Sequence, residues 1–211
     1  MFLHFLYFHT VYFLRLGLFL LRRPKYIPWV SAWLIWKTRF KASEFEARRL
    51  RLTGRFQGDE LNTLGTPVIV AHALLKAAQL PSSSILVDLG AGQGAFLMAG
   101  LLHGCPKVVG VEAHGDLVAG LKDALPEQVC ELIHADLREV LLPQGEIYIA
   151  TWTTWAPQTR SQLLQQLQFA PKGTKIWVWT HEIQEKDWSL RMAQVIQMPG
   201  YEIEAFLYEK D

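Results

Sequence analysis

The chain has only two cysteines, Cys105 and Cys130, in 211 residues. They fall in different predicted elements and lack metal-ligand spacing. A disulfide framework is therefore excluded, and a reducing compartment fits. Net charge is also nearly absent: 21 Lys and Arg against 20 Asp and Glu give +1. That balance conceals a division. Residues 1–60 hold eleven basic residues against four acidic ones, which leaves ten against sixteen in residues 61–211. The pattern is a basic arm on a mildly acidic body. A basic arm suits a membrane surface or a nucleic acid, and the apolar run and three tryptophans in this arm favour the membrane. No basic residue precedes the first apolar stretch and no small-residue cleavage site follows it, so a secretory signal peptide is not expected.

What is present begins with Phe2 to Leu21, nearly all apolar or aromatic and interrupted by His4, His9, Thr10 and Arg15. The length matches a helix crossing a ~30 Å hydrocarbon layer, and Arg15 can snorkel to an interface. Arg22, Arg23 and Lys25 follow, which places residues 22 onward on the cytoplasmic or mitochondrial matrix side. A membrane-anchor helix over residues 1–23 is expected, the alternative being a packed hydrophobic helix. Trp29, Trp33, Trp36 and Phe40 then recur at helical spacing beside Lys37, Arg39 and Lys41. Two readings stand for this helix: one lying at the lipid headgroups, and one docked on the domain. Ser43 to Arg55 reads as a charged helix, so residues 24–60 form basic linking helices and residues 61–211 the catalytic domain.

In that domain Thr66 is placed to cap a helix opened by Pro67, with Val68, Ala71, Leu74 and Leu75 on its apolar face. Strands are expected at 85–89, Lys107–Glu112, Val129–Ala135, Glu146–Ala150 and Thr174–Thr180. Helices are expected at Phe96–Leu102, Gly115–Ala124 and Pro157–Phe169. Alternation of this kind implies a parallel sheet. Two further strands, Leu190–Met198 and Tyr201–Tyr208, flank Pro199-Gly200 and read as a terminal antiparallel hairpin.

The most informative run is Ile85-Leu86-Val87-Asp88-Leu89-Gly90-Ala91-Gly92-Gln93-Gly94, a buried strand entering a glycine turn at a helix start. Backbone without Cβ atoms lets a ligand approach closely. Gly90-x-Gly92-x-x-Ala95 with Glu112 downstream also satisfies a dinucleotide fingerprint. Asp88 beneath the turn disfavours a pyrophosphate, and the terminal hairpin is foreign to dinucleotide-binding domains. The run resembles the first motif of class I S-adenosylmethionine-dependent methyltransferases. The resemblance implies a Rossmann-like α/β sheet of seven strands and S-adenosyl-L-methionine as cofactor. It places Asp88 near the ammonium, with Gly90, Ala91, Gly92 and Gly94 under the methionine portion. Glu112 would hold the ribose hydroxyls beside Ala113, Asp136 the adenine amino group, and Leu137 would donate a backbone amide to the ring. A helix cap for residues 137–141 is the competing reading of Asp136.

After the fourth strand the chain has Thr151-Trp152-Thr153-Thr154-Trp155 and lacks the (N/D)-P-P-(Y/F) of enzymes that methylate nucleobase amines or glutamine. Ligands for a catechol-type metal are also lacking. The organisation is similar to small membrane-anchored protein-lysine methyltransferases acting on the ATP synthase c-subunit, at Val87–Gly92, Gly110-Val111-Glu112, Ala135-Asp136-Leu137 and Thr180-His181-Glu182. Gly65-Thr66-Pro67 stands where that group has an aromatic-Pro pair, which brings Thr66 to the site. Trp152 and Trp155 are expected to line an acceptor channel, with core packing the alternative for one of them, and Thr151 or Thr153 to orient an amine. His181 is either a proton acceptor or structural. The expected partner is a membrane-protein lysine. The alternatives are a lipophilic small molecule such as a quinone or lipid, a non-catalytic scaffold or an NAD-binding protein; no nucleic acid is expected.

Overall fold

Short apolar runs closed by a polar or glycine residue form the strands. In the computed structural model, residues 2–39, 50–52, 56, 65–198 and 201–211 are described. Strands β1 (Ile85–Leu89), β2 (Lys107–Glu112), β3 (Cys130–His134), β4 (Ile147–Ala150) and β5 (Lys175–Trp179) run parallel. Strands β6 (Trp188–Met198) and β7 (Tyr201–Lys210) are antiparallel, and β7 inserts between β5 and β6. The order β3-β2-β1-β4-β5-β7-β6 gives one seven-stranded sheet, as the sequence predicts. Strand ends differ from expectation by a residue or two where the ladder partners stop. The Pro199-Gly200 turn lies outside the described residues. β1 sits between β2 and β4, so the winding reverses there and opens a crevice at the carboxyl edge of the sheet.

Alternation along the strands splits the core between two faces. Leu86, Ile149, Trp177, Trp179 and Leu207 face one helical layer; Val87, Leu89, Tyr148, Val178 and Phe206 face the other. The first layer holds α3 (Val68–Ala77) and α4 (Ala95–His103). α5 (Gly115–Ala124) joins it through Leu121. The second holds α6 (Pro157–Leu167) and the segment around Leu137 and Leu142. Every residue of α4 from Ala95 to Leu102 is buried. That burial requires Gly100, where a β-carbon would stand 2.7 Å from Val108 Cγ1.

Thr66 does not cap α3. Pro67 takes the cap position in extended conformation with no side-chain bond, and the helix begins at Val68. With the first helical residue at Val68, Thr66 lies one position before the cap, and it is buried.

The expected anchor segment does form a helix, α1 (Phe2–Leu21), joined by a turn at Pro24–Tyr26 to α2 (Ile27–Arg39). Among the described residues, however, no helix is long and apolar enough to cross a membrane. One side of α1 is instead packed on the domain. Leu16 is buried, Phe19 meets His72 edge-on at 5.1 Å, and Arg23 just beyond donates to the Leu102 carbonyl at 2.8 Å. For α2 the structure selects the docked reading, because Val30 and Trp33 are fully buried. Trp36 packs so closely on α5 that a β-carbon at Gly120 would overlap its ring. The charged helix predicted over 43–55 falls outside the described residues, apart from a helical stretch at 50–52.

Trp177 is the largest wholly buried side chain in the middle of β5, and its indole N–H has no partner among the described residues. Trp177→Ala is expected to destabilise by about 3–5 kcal/mol through the cavity it leaves. Trp177→Phe, which removes that unpaired donor and keeps a ring, is expected to cost clearly less. Calorimetric melting of both variants checks the order.

Candidate active site at the carboxyl edge of the sheet

The crevice is built around the loop from Gly90 to Gly94. Gly90, Gly92 and Gly94 all take positive φ, +76°, +52° and +73°. That left-handed backbone is open to glycine and strained for other residues. The loop lacks side chains to hold it, so neighbouring elements do. The amides of Gly90 and Ala91 donate to the Val111 carbonyl at 2.8 and 3.0 Å. Gly92 N–H donates to Glu112 Oε2 at 2.8 Å, and Trp33 Nε1 donates to the Gln93 carbonyl at 2.8 Å. A β-carbon at Gly90 would stand 2.8 Å from Trp155 Cζ2, and one at Gly94 2.6 Å from Leu121 Cδ2. The loop is therefore pinched between a tryptophan and α5.

Glu112 ends β2 with both oxygens held, Oε2 by Gly92 and Oε1 by the His114 amide at 2.9 Å. Burial raises its pKa, and these amide donors pull it back down. Each oxygen keeps a second lone pair, so a fixed carboxylate remains able to accept a pair of hydroxyls. Asp88, at the end of β1, is 2% exposed. Desolvation, reinforced by the charge of Glu112, pushes its pKa up to about 8. A buried carboxyl pair is stabilised by a cation and repels a phosphate.

The other wall carries Ala113, Ala135, Asp136 and Leu137. Asp136 is not a loose acceptor, because Arg138 clasps it through Nε at 2.9 Å and Nη2 at 2.6 Å. It also accepts the Arg138 amide at 3.0 Å, so the capping role is present as well. Arg138 in turn lies 4.5 Å from the Phe56 ring, which closes this end of the cavity. Thr66 and Gly65 line the side near Gln93.

Of the residues expected on the acceptor side, Thr151 and Trp155 line the cavity, together with Thr154. Trp152 does not. It is buried in the second core layer, and its Nε1 donates to the His181 carbonyl at 3.0 Å. Two tryptophans three residues apart, flanking the turn at Trp152–Thr154, thus serve opposite sides. Thr153 is withdrawn too, bonding Thr180 through their hydroxyls at 3.0 Å. Burial, with the Arg160 charge nearby, lowers the pKa of His181. Thr180 adopts φ +68°, an unusual conformation for a β-branched residue. It holds the acceptor turn at a cost in backbone energy. Phe56, Arg138 and Thr154 line the cavity without having been legible as site residues. Arg138, two positions past Asp136, carried the only available signal.

With this geometry in hand the likeness to solved structures is clear. The chain has the class I methyltransferase fold. TrmN from Thermus thermophilus superposes with a TM-score of 0.59 at 18% identity over 69% of this chain and 49% of that one. An RNA methyltransferase from Salinibacter ruber, in complex with S-adenosyl-L-homocysteine, gives 0.56 at 20% identity over 70% and 94%. Magnesium protoporphyrin IX methyltransferase from Synechocystis PCC 6803, with bound SAM, gives 0.55 at 14% over 68% and 78%. No family model and no curated relative matches the sequence. This chain spans about half of TrmN's length, the 49% above.

Because the Asp88 pKa is raised by folding, its buried charge costs stability that grows as pH rises from about 4 and is complete above about 8. Asp88→Asn is therefore expected to raise the melting temperature of the ligand-free protein by several degrees at pH 8 and hardly at all at pH 4.5. Calorimetry at both pH values checks the sign.

Proposed function

We propose that the protein transfers a methyl group from S-adenosyl-L-methionine to the side-chain amine of a protein lysine, at a membrane surface. The observation that carries the cofactor is the Asp88–Glu112 pair around a left-handed glycine loop. Glu112, fixed by two amides, suits the ribose hydroxyls, and Asp88 suits the ammonium. A dinucleotide would bring its pyrophosphate against Asp88, which the same geometry opposes. The methyl-bearing sulfonium supplies an electrophilic carbon, and displacement there needs alignment and exclusion of water rather than a metal.

This chain's own residues provide that alignment. Trp155, lying on Gly90, sets the floor between cofactor loop and acceptor. Thr151 and Thr154 present hydroxyls to an incoming amine. An amine entering beside these aromatic and hydroxyl groups is partly desolvated, which lowers its pKa toward the neutral nucleophile. The segment lacks the (N/D)-P-P-(Y/F) seat for a nucleobase amino group, which disfavours that acceptor, although the S. ruber enzyme is an RNA methyltransferase by name.

Support for the membrane comes from the outward side of α1. Leu14, Leu18 and Leu21 stand one turn apart and are all more than half exposed. Residues 1–43 hold seven Lys and Arg and no acid. An apolar stripe on a basic arm suits an anionic lipid surface with the helix lying in its plane. The protein is then attached to the surface on its cytoplasmic or matrix side.

Titration calorimetry with S-adenosyl-L-methionine tests the cofactor. Binding is expected to release a proton and to weaken toward lower pH, approaching tenfold per unit well below about 8, as Asp88 must ionise to meet the ammonium. Asp88→Asn removes both the proton release and most of the affinity. Tighter binding of a nicotinamide dinucleotide overturns the reading. For the acceptor, tritiated cofactor is incubated with protein and a membrane fraction: label in lysine of a membrane protein is expected, and label in RNA or lipid contradicts it. Leu14→Glu with Leu18→Glu is expected to abolish co-sedimentation with anionic vesicles while leaving cofactor affinity intact.

A further inference from the structure

Among the described residues, the cofactor loop has one hydrogen-bonded anchor from outside the α/β domain. Gly90, Ala91 and Gly92 are tied to β2 and its end, through Val111 and Glu112. The Gln93 carbonyl precedes α4 within a left-handed turn, and the partner that reaches it is the indole of Trp33, sixty positions earlier in the chain. Trp33 has no exposure, so its indole N–H has no water to turn to if the bond is lost. Breaking this bond leaves a buried donor unpaired.

α2 is well placed to act as a rigid mount. Val30 is buried below Trp33, and Trp36 packs against Gly120 of α5. Lys37 Nζ covers the Trp33 ring at 5.0 Å. α5 itself presses Leu121 onto Gly94, the far end of the same loop. One helix of the arm thus grips the loop directly at Gln93 and indirectly at Gly94.

We infer that Trp33 is a positioning residue for cofactor binding: through its indole N–H it fixes the Gly92-Gln93-Gly94 turn in the shape that receives the ligand. The inference rests on the reading of that turn as the S-adenosyl-L-methionine loop. The arm is then part of the binding machinery as well as an attachment device. Trp33 touches no ligand, and its contribution is the cost it removes from ordering five nearly side-chain-free residues.

The test compares Trp33→Phe, which keeps the buried ring and deletes the donor, with Val30→Ala, which thins the same interface without touching the loop. Each full-length variant is measured by calorimetric melting, by affinity for S-adenosyl-L-methionine, and by hydrogen exchange of the Gly92 and Gly94 amides without ligand. Trp33→Phe is expected to weaken cofactor binding about three- to tenfold, the worth of one buried hydrogen bond, and to speed exchange at both amides. Val30→Ala is expected to lower the melting temperature at least as much, with affinity and loop exchange near those of the parent. Unchanged affinity and exchange in Trp33→Phe overturn the inference, as does an equal effect of Val30→Ala on both. If the parent protein binds no S-adenosyl-L-methionine, the function proposed above fails. The exchange comparison in ligand-free protein then still decides whether Trp33 holds the loop.

Discussion

The site depends on one constraint: two carboxyl groups are buried together at the carboxyl edge of the sheet, and among the described residues backbone amides hold Glu112 alone of the two. Glu112 has two backbone amides on its oxygens and is thereby fixed as an acceptor. Asp88 is desolvated beside that charge, which raises its pKa to about 8. Folding leaves an electrostatic deficit at Asp88 that a bound cation relieves. The glycine loop keeps the space over the pair open, because three left-handed residues bring bare backbone there. The raised pKa of Asp88 is a stability cost of folding that a positively charged ligand would offset.

The rest of the chain arranges walls around this pair. β4 and the turn after it supply Thr151, Thr154 and Trp155; the segment after β3 supplies Asp136, already oriented by Arg138. The strain at Thr180 and its bond to Thr153 fix the acceptor turn from the β5 side. From the opposite side α2 clamps the loop through Trp33. α1, α2, α3 and α4 share one core layer, so the arm and the domain are energetically continuous there.

Much of this was legible because the chemistry is local in sequence. Asp88, Glu112 and Asp136 at or near the ends of apolar runs announce strands whose acidic residue needs a polar partner, and alternation with helices fixes a parallel sheet. The hairpin that follows distinguishes this sheet from a dinucleotide-binding one. What stayed hidden depends on which side a residue faces after packing. Hydropathy cannot separate Leu16, buried against the domain, from Leu14 and Leu18, which face outward, so α1 read as membrane-crossing. Trp152 and Trp155 look alike in sequence, yet the tight turn sends one to the core and the other to the cavity. Thr66 looked like a cap because serine and threonine commonly serve there, whereas the helix begins one residue later, at Val68, with Pro67 in the cap position. A positive φ at Thr180 has no sequence signal at all, since a β-branched residue is among the least expected in that conformation.

The most direct measurement is a crystal structure with S-adenosyl-L-homocysteine, collected alongside one with a nicotinamide dinucleotide under the same conditions. The account requires the ribose hydroxyls on the two oxygens of Glu112 and the amino group of the homocysteine against Asp88, with the Gly90–Gly94 backbone unmoved. A nicotinamide dinucleotide seated over that turn instead, or a crevice that takes neither molecule, contradicts it.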